Sequence, residues 1–291
     1  MHKYLRAIGF SNLKSKRELQ TLLKEVIQTA TNKSYTANSE DILFAEFSKD
    51  YAENIGIAVR GEFEEDKFLY DYYFPYYRGS GISSEEDVSI ERHAEKESYA
   101  GICEDIKIGV SLIFYLQNVV DYIRAQEAKL LPVRGTTLTL SGLSCKGTIM
   151  MPIVKNEQEK RKIKQVSNNR NQLIEAARKG DEEAIENLTL EDMDTYTAIS
   201  KKIQQEDVFS LVDTYFMPYG VECDQYSVLG EITDCHQVRN SMTGEDIYQM
   251  TLSCNDLNFD LCINKMDLYG EPAIGRRFKG TMWMQGFINF P

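Results

Sequence analysis

The residues best placed to do chemistry begin with an aromatic run: Tyr70, Tyr72, Tyr73, Phe74, Tyr76 and Tyr77, followed at once by Arg78 and Gly79. Tyrosine offers a flat apolar face with a polar tip, which suits ligand stacking or a protein interface. Along a strand successive side chains face opposite sides, so half of this set is expected in the core, with Tyr76-Tyr77-Arg78-Gly79 as the turn that follows. A second candidate is Gly275-Arg276-Arg277-Phe278-Lys279-Gly280. Three cations on one strand suggest a clamp for a phosphate or carboxylate, because guanidinium groups bind both bidentately. Alternation puts Arg276 and Phe278 on one face and Arg277 and Lys279 on the other, so at most two cations cooperate. Pairing with Asp267 or Glu271 is the structural alternative.

Nucleophiles and metal ligands are less well signalled. In Glu222-Cys223-Asp224 two carboxylates flank a thiol, a setting that does not favour a catalytic nucleophile. Three histidines, His2, His93 and His236, leave few candidates for general acid–base work, and no spacing selects a Cys–His pair. Cys103, Cys145, Cys223, Cys235, Cys254 and Cys262 contain no CxxC, so a zinc ribbon or finger is not expected. Cys235-His236 would need a barrel to bring it to Cys254 and Cys262. Buried, reduced thiols are the expectation. Phosphate-loop, dinucleotide, zincin, nucleophile-elbow and kinase motifs are all missing from the sequence. No cofactor and no metal are expected.

The elements that must position these residues follow from pattern. Ser15 with Glu18 forms a capping box, and Leu19, Leu22, Leu23, Val26, Ile27 and Ala30 recur on one helical face. The polar stretch TNKSYTANSED ends that helix. Strands are predicted over 42–48, 55–63 and 67–74, then at 87–92, 98–104 and 108–116, with a short helix at 119–129. TTLTLSGLSCKGTIMMPI reads as a hairpin. From Lys155 to about Gln205 the pattern is helical, with a stop at Gly180-Asp181 and a third helix capped by Thr189 and Asp192. Strands resume at Tyr226–Ile232, Ile247–Cys254, Phe259–Ile263 and Arg277–Phe290.

Two passages recur in order. Asp71-Tyr-Tyr-Phe-Pro-Tyr-Tyr-Arg-Gly79 is similar to Asp213-Thr-Tyr-Phe-Met-Pro-Tyr-Gly220, and Lys146-Gly-Thr-Ile-Met-Met151 to Lys279-Gly-Thr-Met-Trp-Met284. They suggest two diverged copies of one curved β-module, OB-like in its short strands and glycine corners.

Charge narrows the function classes. The 291 residues carry a formal net charge of −12, against the basic surplus that nucleic-acid binding needs. Residues 1–40 do hold a net +4, but Lys14, Lys16 and Arg17 have no aromatic interleaving. The most apolar run, Ile108 to Ile123, is shorter than the ~20 residues that span a bilayer. The N-terminus lacks the pattern of a secretory signal.

Three longer passages, MHKYLRAIGFSNL, YFMPYGVECDQYSVLGEI and GEPAIGRRFKGTMWMQGFINF, together resemble a domain-of-unknown-function family of clostridial Firmicutes whose members are similar in length. The resemblance covers the whole chain. It implies a cytosolic protein of an anaerobic bacterium and brings with it no activity, catalytic residue or ligand.

The expected fold is α+β, with two antiparallel β-rich lobes. Residues 1–154 hold the N-terminal helix and one lobe, 155–209 a helical insert, and 210–291 a barrel-like lobe. The expected function is that of a cytoplasmic, non-catalytic binding or scaffold protein recognising a protein or a small ligand. The site is expected at Tyr76, Arg78, Tyr219, Arg276, Arg277 and Trp283. The alternative is an enzyme acting on a phosphorylated or carboxylated metabolite held by the basic strand. A weaker third reading, a single-strand nucleic-acid module, needs aromatic and basic residues in one groove.

Overall fold

Helix α1 (Lys16–Gln28) starts where its sequence says it should. The Ser15 hydroxyl accepts the Glu18 N–H at 3.1 Å, and the Glu18 carboxylate accepts the N–H groups of Lys14 and Ser15, closing the capping box. Leu19, Leu22, Leu23 and Val26 are buried on one face. A 3-10 helix over Lys3–Ile8 precedes it and is closed by Gly9 at φ +87°. The computed structural model describes residues 1–37, 43–65, 67–92, 98–105, 111–131, 135–153, 157–203, 212–221 and 223–291.

The stripe of α1 packs on a four-stranded antiparallel sheet, in the order β1 (Asn32–Ala37), β2 (Leu43–Ala52), β3 (Ile55–Glu64), β4 (Lys67–Tyr77). Lys49 of β2 reaches Glu25 of α1 and its C-cap Thr29 at 2.6 and 2.8 Å, so the odd-numbered residues of β2 face the helix. Alternation then turns Glu46, Ser48 and Asp50 to the opposite face. Register places Ser34, Glu46, Arg60 and Tyr72 in one cross-strand row, and Asn32, Ser48, Ala58 and Phe74 in the next. Edge strand β1 lies within the stretch read from sequence as the polar end of α1. Its side chains are mostly exposed, so it carries little of the apolar alternation that marks a strand.

Among the described residues the second sheet has ten strands. β5 (Val88–Arg92), β6 (Tyr99–Cys103) and β7 (Leu112–Leu116) form an antiparallel run. Helix α2 (Val119–Glu127) leads on to β8 (Thr137–Met150), a single strand of 14 residues. The expected hairpin is therefore corrected. Gly142 and Gly147 are sites of close approach within the strand, where a Cβ would lie 2.6 Å from the Met282 sulfur and 2.8 Å from Phe278 Cζ respectively.

β9 (Tyr215–Pro218), β10 (Gln225–Arg239), β11 (Asp246–Cys254), β12 (Leu257–Asn264), β13 (Leu268–Tyr269) and β14 (Arg277–Asn289) complete the sheet. β10, β11 and β12 are a meander. β14 returns beside β10, giving the 4-1-2-3 order of a Greek key. β8 pairs antiparallel with β14 and parallel with β12, which closes a five-stranded ring. Its interior is filled by Leu138, Leu140, Val228, Leu252, Leu261, Phe278 and Met282 among others. The barrel expected of 210–291 thus takes one wall from residues 137–150, and the sheet is mixed rather than antiparallel.

The duplication is overturned by strand order. β4 belongs to the four-stranded sheet, whereas β9, carrying the similar passage, pairs with β10 of the larger one. In the insert, α3 (Glu157–Arg178) and α4 (Glu182–Ile203) turn at Gly180, φ +88°, with the Asp181 carboxylate accepting the Ala184 N–H. α4 runs unbroken through Thr189, whose hydroxyl donates back to the Ile185 carbonyl rather than capping a third helix. The class is α+β.

Candidate functional site

A cleft of about 360 Å³ opens between the even-numbered face of the four-stranded sheet and the start of α2. Its floor comes from β2, β3 and β4: Glu46, Ser48, Ala58, Phe74 and Tyr76, with Arg78 at the rim. Asn32 and Ser34 of β1 edge it. The facing wall is Gln117, Asn118, Val120 and Asp121, with Phe287 of β14. Strand pairing aligns the floor, and the β7–α2 connection supplies the wall.

Tyr76 lies flat because Gly56 is opposite it in β3, where any Cβ would collide with the phenol oxygen. The phenol donates to Asp50 in a short hydrogen bond. Burial pushes its pKa up, so it stays a neutral donor. Arg78 stacks on the Tyr76 ring with 4.5 Å from Cζ to centroid. Its Nη1 and Nη2 make contacts of 3.4 Å to Asp50 and to the Ser48 hydroxyl. Among the described residues these are the guanidinium's side-chain partners, so three of its five N–H donors remain uncommitted.

Arg60 holds the two walls together. Wholly buried, it donates through Nε to Glu46 at 2.5 Å, through Nη1 to the Tyr115 hydroxyl at 2.8 Å, and through Nη2 to the Gln117 carbonyl at 2.5 Å. Its Cζ sits 4.4 Å from the Phe74 ring centroid. A cation so placed needs each of these partners, because an unpaired buried charge is costly. Pattern reading missed Arg60; a lone arginine in the apolar stretch IGIAVRGEF was the available signal.

Of the six residues expected at the site, the cleft brings Tyr76 and Arg78 together. The strand continues through Tyr77, and Phe74, Tyr76 and Tyr77 are buried while Tyr70 is exposed, so the turn begins only at Arg78. Trp283 is core: it stacks on Tyr4 at 5.4 Å and donates from Nε1 to Asp224 at 2.6 Å. Tyr219 is exposed at the β9–β10 turn, where its N–H donates to the Gln225 carbonyl. Arg276 donates to the Glu271 carbonyl at 2.6 Å. Buried Arg277 donates to the carbonyls of Met151 and Val212, at 3.1 and 2.9 Å. Both guanidiniums hold chain segments in place, and Asp267 pairs instead with Arg6 at 2.6 Å.

Cys235, His236, Cys254 and Cys262 do not form a metal-ligating group among the described residues, and His236 pairs with Gln249 at 2.7 Å. His93 and Glu222 lie outside the described residues. No helix among the described residues is long and apolar enough to cross a membrane.

Fold and site together define an α+β protein in which a closed five-stranded Greek-key barrel carries a side sheet with a polar cleft. The chain belongs to a family described as a domain of unknown function from an E. rectale gene, DUF3881, whose model matches residues 5–286. No curated protein and no solved structure matches it.

Proposed function

We propose that this chain is a non-catalytic binding protein that holds a small ligand, bearing a carboxylate or phosphate, in the cleft beside α2. The observation that carries this reading is Arg78, a guanidinium seated on Tyr76 with donors to spare at the rim of a cleft of ligand size. The carboxylates around it favour binding over acid–base chemistry. Asp50 is engaged by Tyr76 and Arg78, Glu46 by Arg60, and Asp121 lies 3.5 Å from Arg124. Six free cysteines suit a reducing compartment, and we place the protein in the cytoplasm.

The test is a thermal-shift screen of wild type and Arg78→Gln against carboxylated and phosphorylated metabolites. A ligand at 100 times its Kd adds about 2.7 kcal/mol, a readable shift. The expected outcome is a shift in wild type that Arg78→Gln lacks. Equal shifts in both proteins, or none across the panel, overturn the reading.

A further inference from the structure

We infer that the ligand of this cleft is a small zwitterion of amino-acid type, its carboxylate on Arg78 and its ammonium held between Glu46 and Asp121. This rests on the binding reading above and goes on to name the ligand class. The Arg78 Nη2 lies 3.4 Å from the Ser48 hydroxyl. Glu46 is two residues earlier on the same strand and the same face, and both line the cleft. Two residues of strand span about 7 Å. A guanidinium at the rim and a carboxylate on the floor therefore stand at a separation that one small molecule bridges, with a hydrogen bond of about 2.9 Å at each end.

Glu46 has capacity for a second donor. Its Oε2 accepts from Arg60, and Oε1 has no hydrogen-bond partner among the described residues. Asp121, on the opposite wall, has a half-exposed side chain held loosely by Arg124 and by the Asn118 amide, each at 3.5 Å.

The charge balance points the same way. Three cations, Arg60, Arg78 and Arg124, stand against three anions, Glu46, Asp50 and Asp121, each in a one-to-one pair. A purely anionic ligand meets the field of Glu46 and Asp121, and a purely cationic one that of Arg78. A molecule with both charges a few bonds apart matches both ends. Ala58, Phe74, Val120 and Phe287 leave an apolar surface for its side chain, and a volume of about 360 Å³ lies at the small end of ligand pockets.

The experiment is calorimetry and thermal shift on the full chain with each standard L-amino acid. Every hit is then repeated as its N-acetyl form, which keeps only the anion, and its methyl ester, which keeps only the cation. Succinate and inorganic phosphate complete the panel. The free amino acid is expected to bind, with each blocked form weaker by about tenfold or more, roughly 1.4 kcal/mol or above. Asp121→Asn, at a half-exposed position in the first turn of α2, is expected to bind about tenfold more weakly than wild type with a melting temperature close to that of wild type. It is preferred to Glu46→Gln, which would unpair buried Arg60. If succinate, phosphate or the N-acetyl form binds as well as the parent, or Asp121→Asn binds as wild type does, the zwitterion inference falls while the binding reading stands. If nothing in the panel binds, both fall.

Discussion

Gly147 of β8 and Gly280 of β14 are direct cross-strand partners, and the ring of Phe278 lies against both. Each is the second residue of its similar passage, and the passages run antiparallel so that Lys146 faces Thr281 and Thr148 faces Lys279. The likeness of the passages is that of two strands meeting around one ring. Both glycines are there for the same reason: a Cβ at Gly280 would lie 2.6 Å from Phe278 Cζ and 2.7 Å from the Lys146 carbonyl. Gly147→Ala and Gly280→Ala are each expected to destabilise the fold by about 1–3 kcal/mol through overpacking. The midpoint of urea unfolding checks this, and an unchanged midpoint for either would show that Phe278 has room to move.

Arg60→Met should cost about 3–5 kcal/mol, because it strands the Glu46 carboxylate, the Tyr115 hydroxyl and the Gln117 carbonyl together. The double variant Arg60→Met, Glu46→Gln should recover part of that loss, since the unpaired charge goes with it. A double-mutant cycle on unfolding free energies reads the coupling; strict additivity would refute a coupled pair.

His2 packs its ring 4.7 Å from Trp283 and 6.4 Å from Tyr73, with its Nδ1 buried and without a hydrogen-bond partner among the described residues. Burial first, then the nearby N-terminal ammonium and Lys3, lowers its pKa from 6.5 to about 4. The folded state thus holds fewer protons than the unfolded one between these values. Stability is fully present above about pH 6.5 and is lost as pH falls toward 4, by an amount on the order of 2 kcal/mol. His2→Gln should flatten this part of the stability profile, measured by denaturant titration across the pH range. A variant whose profile still tracks wild type would assign the slope to other groups.

Thiol reactivity should be confined to one residue at neutral pH. Cys223 is exposed. Burial pushes Cys145 and Cys235 up to about 11 and Cys254 to about 12, holds Cys262 well above its usual value, and keeps Cys103 out of solvent. Reaction of the native protein with Ellman's reagent should give one fast equivalent, lost in Cys223→Ser. A fast phase surviving that substitution would contradict the burial of Cys103, Cys254 and Cys262 or the partial burial of Cys145 and Cys235.

The local devices of the fold were legible. Ser15 and Glu18 announce α1, the stop at Gly180-Asp181 divides the insert, and alternation marks β2, β3, β4, β11 and β12 to within a few residues. These depend on interactions spanning a handful of residues, which sequence spacing records directly. β1 and β9 were missed because an exposed edge strand needs no apolar face. β8 was misread because a glycine in a strand marks either a turn or a close approach, and only the partner strand says which.

At the site, sequence alone singled out Tyr76 and Arg78 as an aromatic beside a cation. By itself it also determined a composition with an apolar core, a carboxylate surplus and membership of its family. It could not rank that pair above Tyr219, Arg276, Arg277 and Trp283, which have the same chemistry. Tertiary structure did so: β14 turned Trp283 inward against Tyr4, and neighbouring carbonyls took up Arg276 and Arg277. The register of four strands set Arg78 across from the start of α2. The closing of the barrel by β8, whose partner residues in β14 lie 127 to 152 positions away, belongs to the same class of fact. Long-range pairing is chosen by the total burial and hydrogen bonding of the assembled sheets, and no local spacing encodes it.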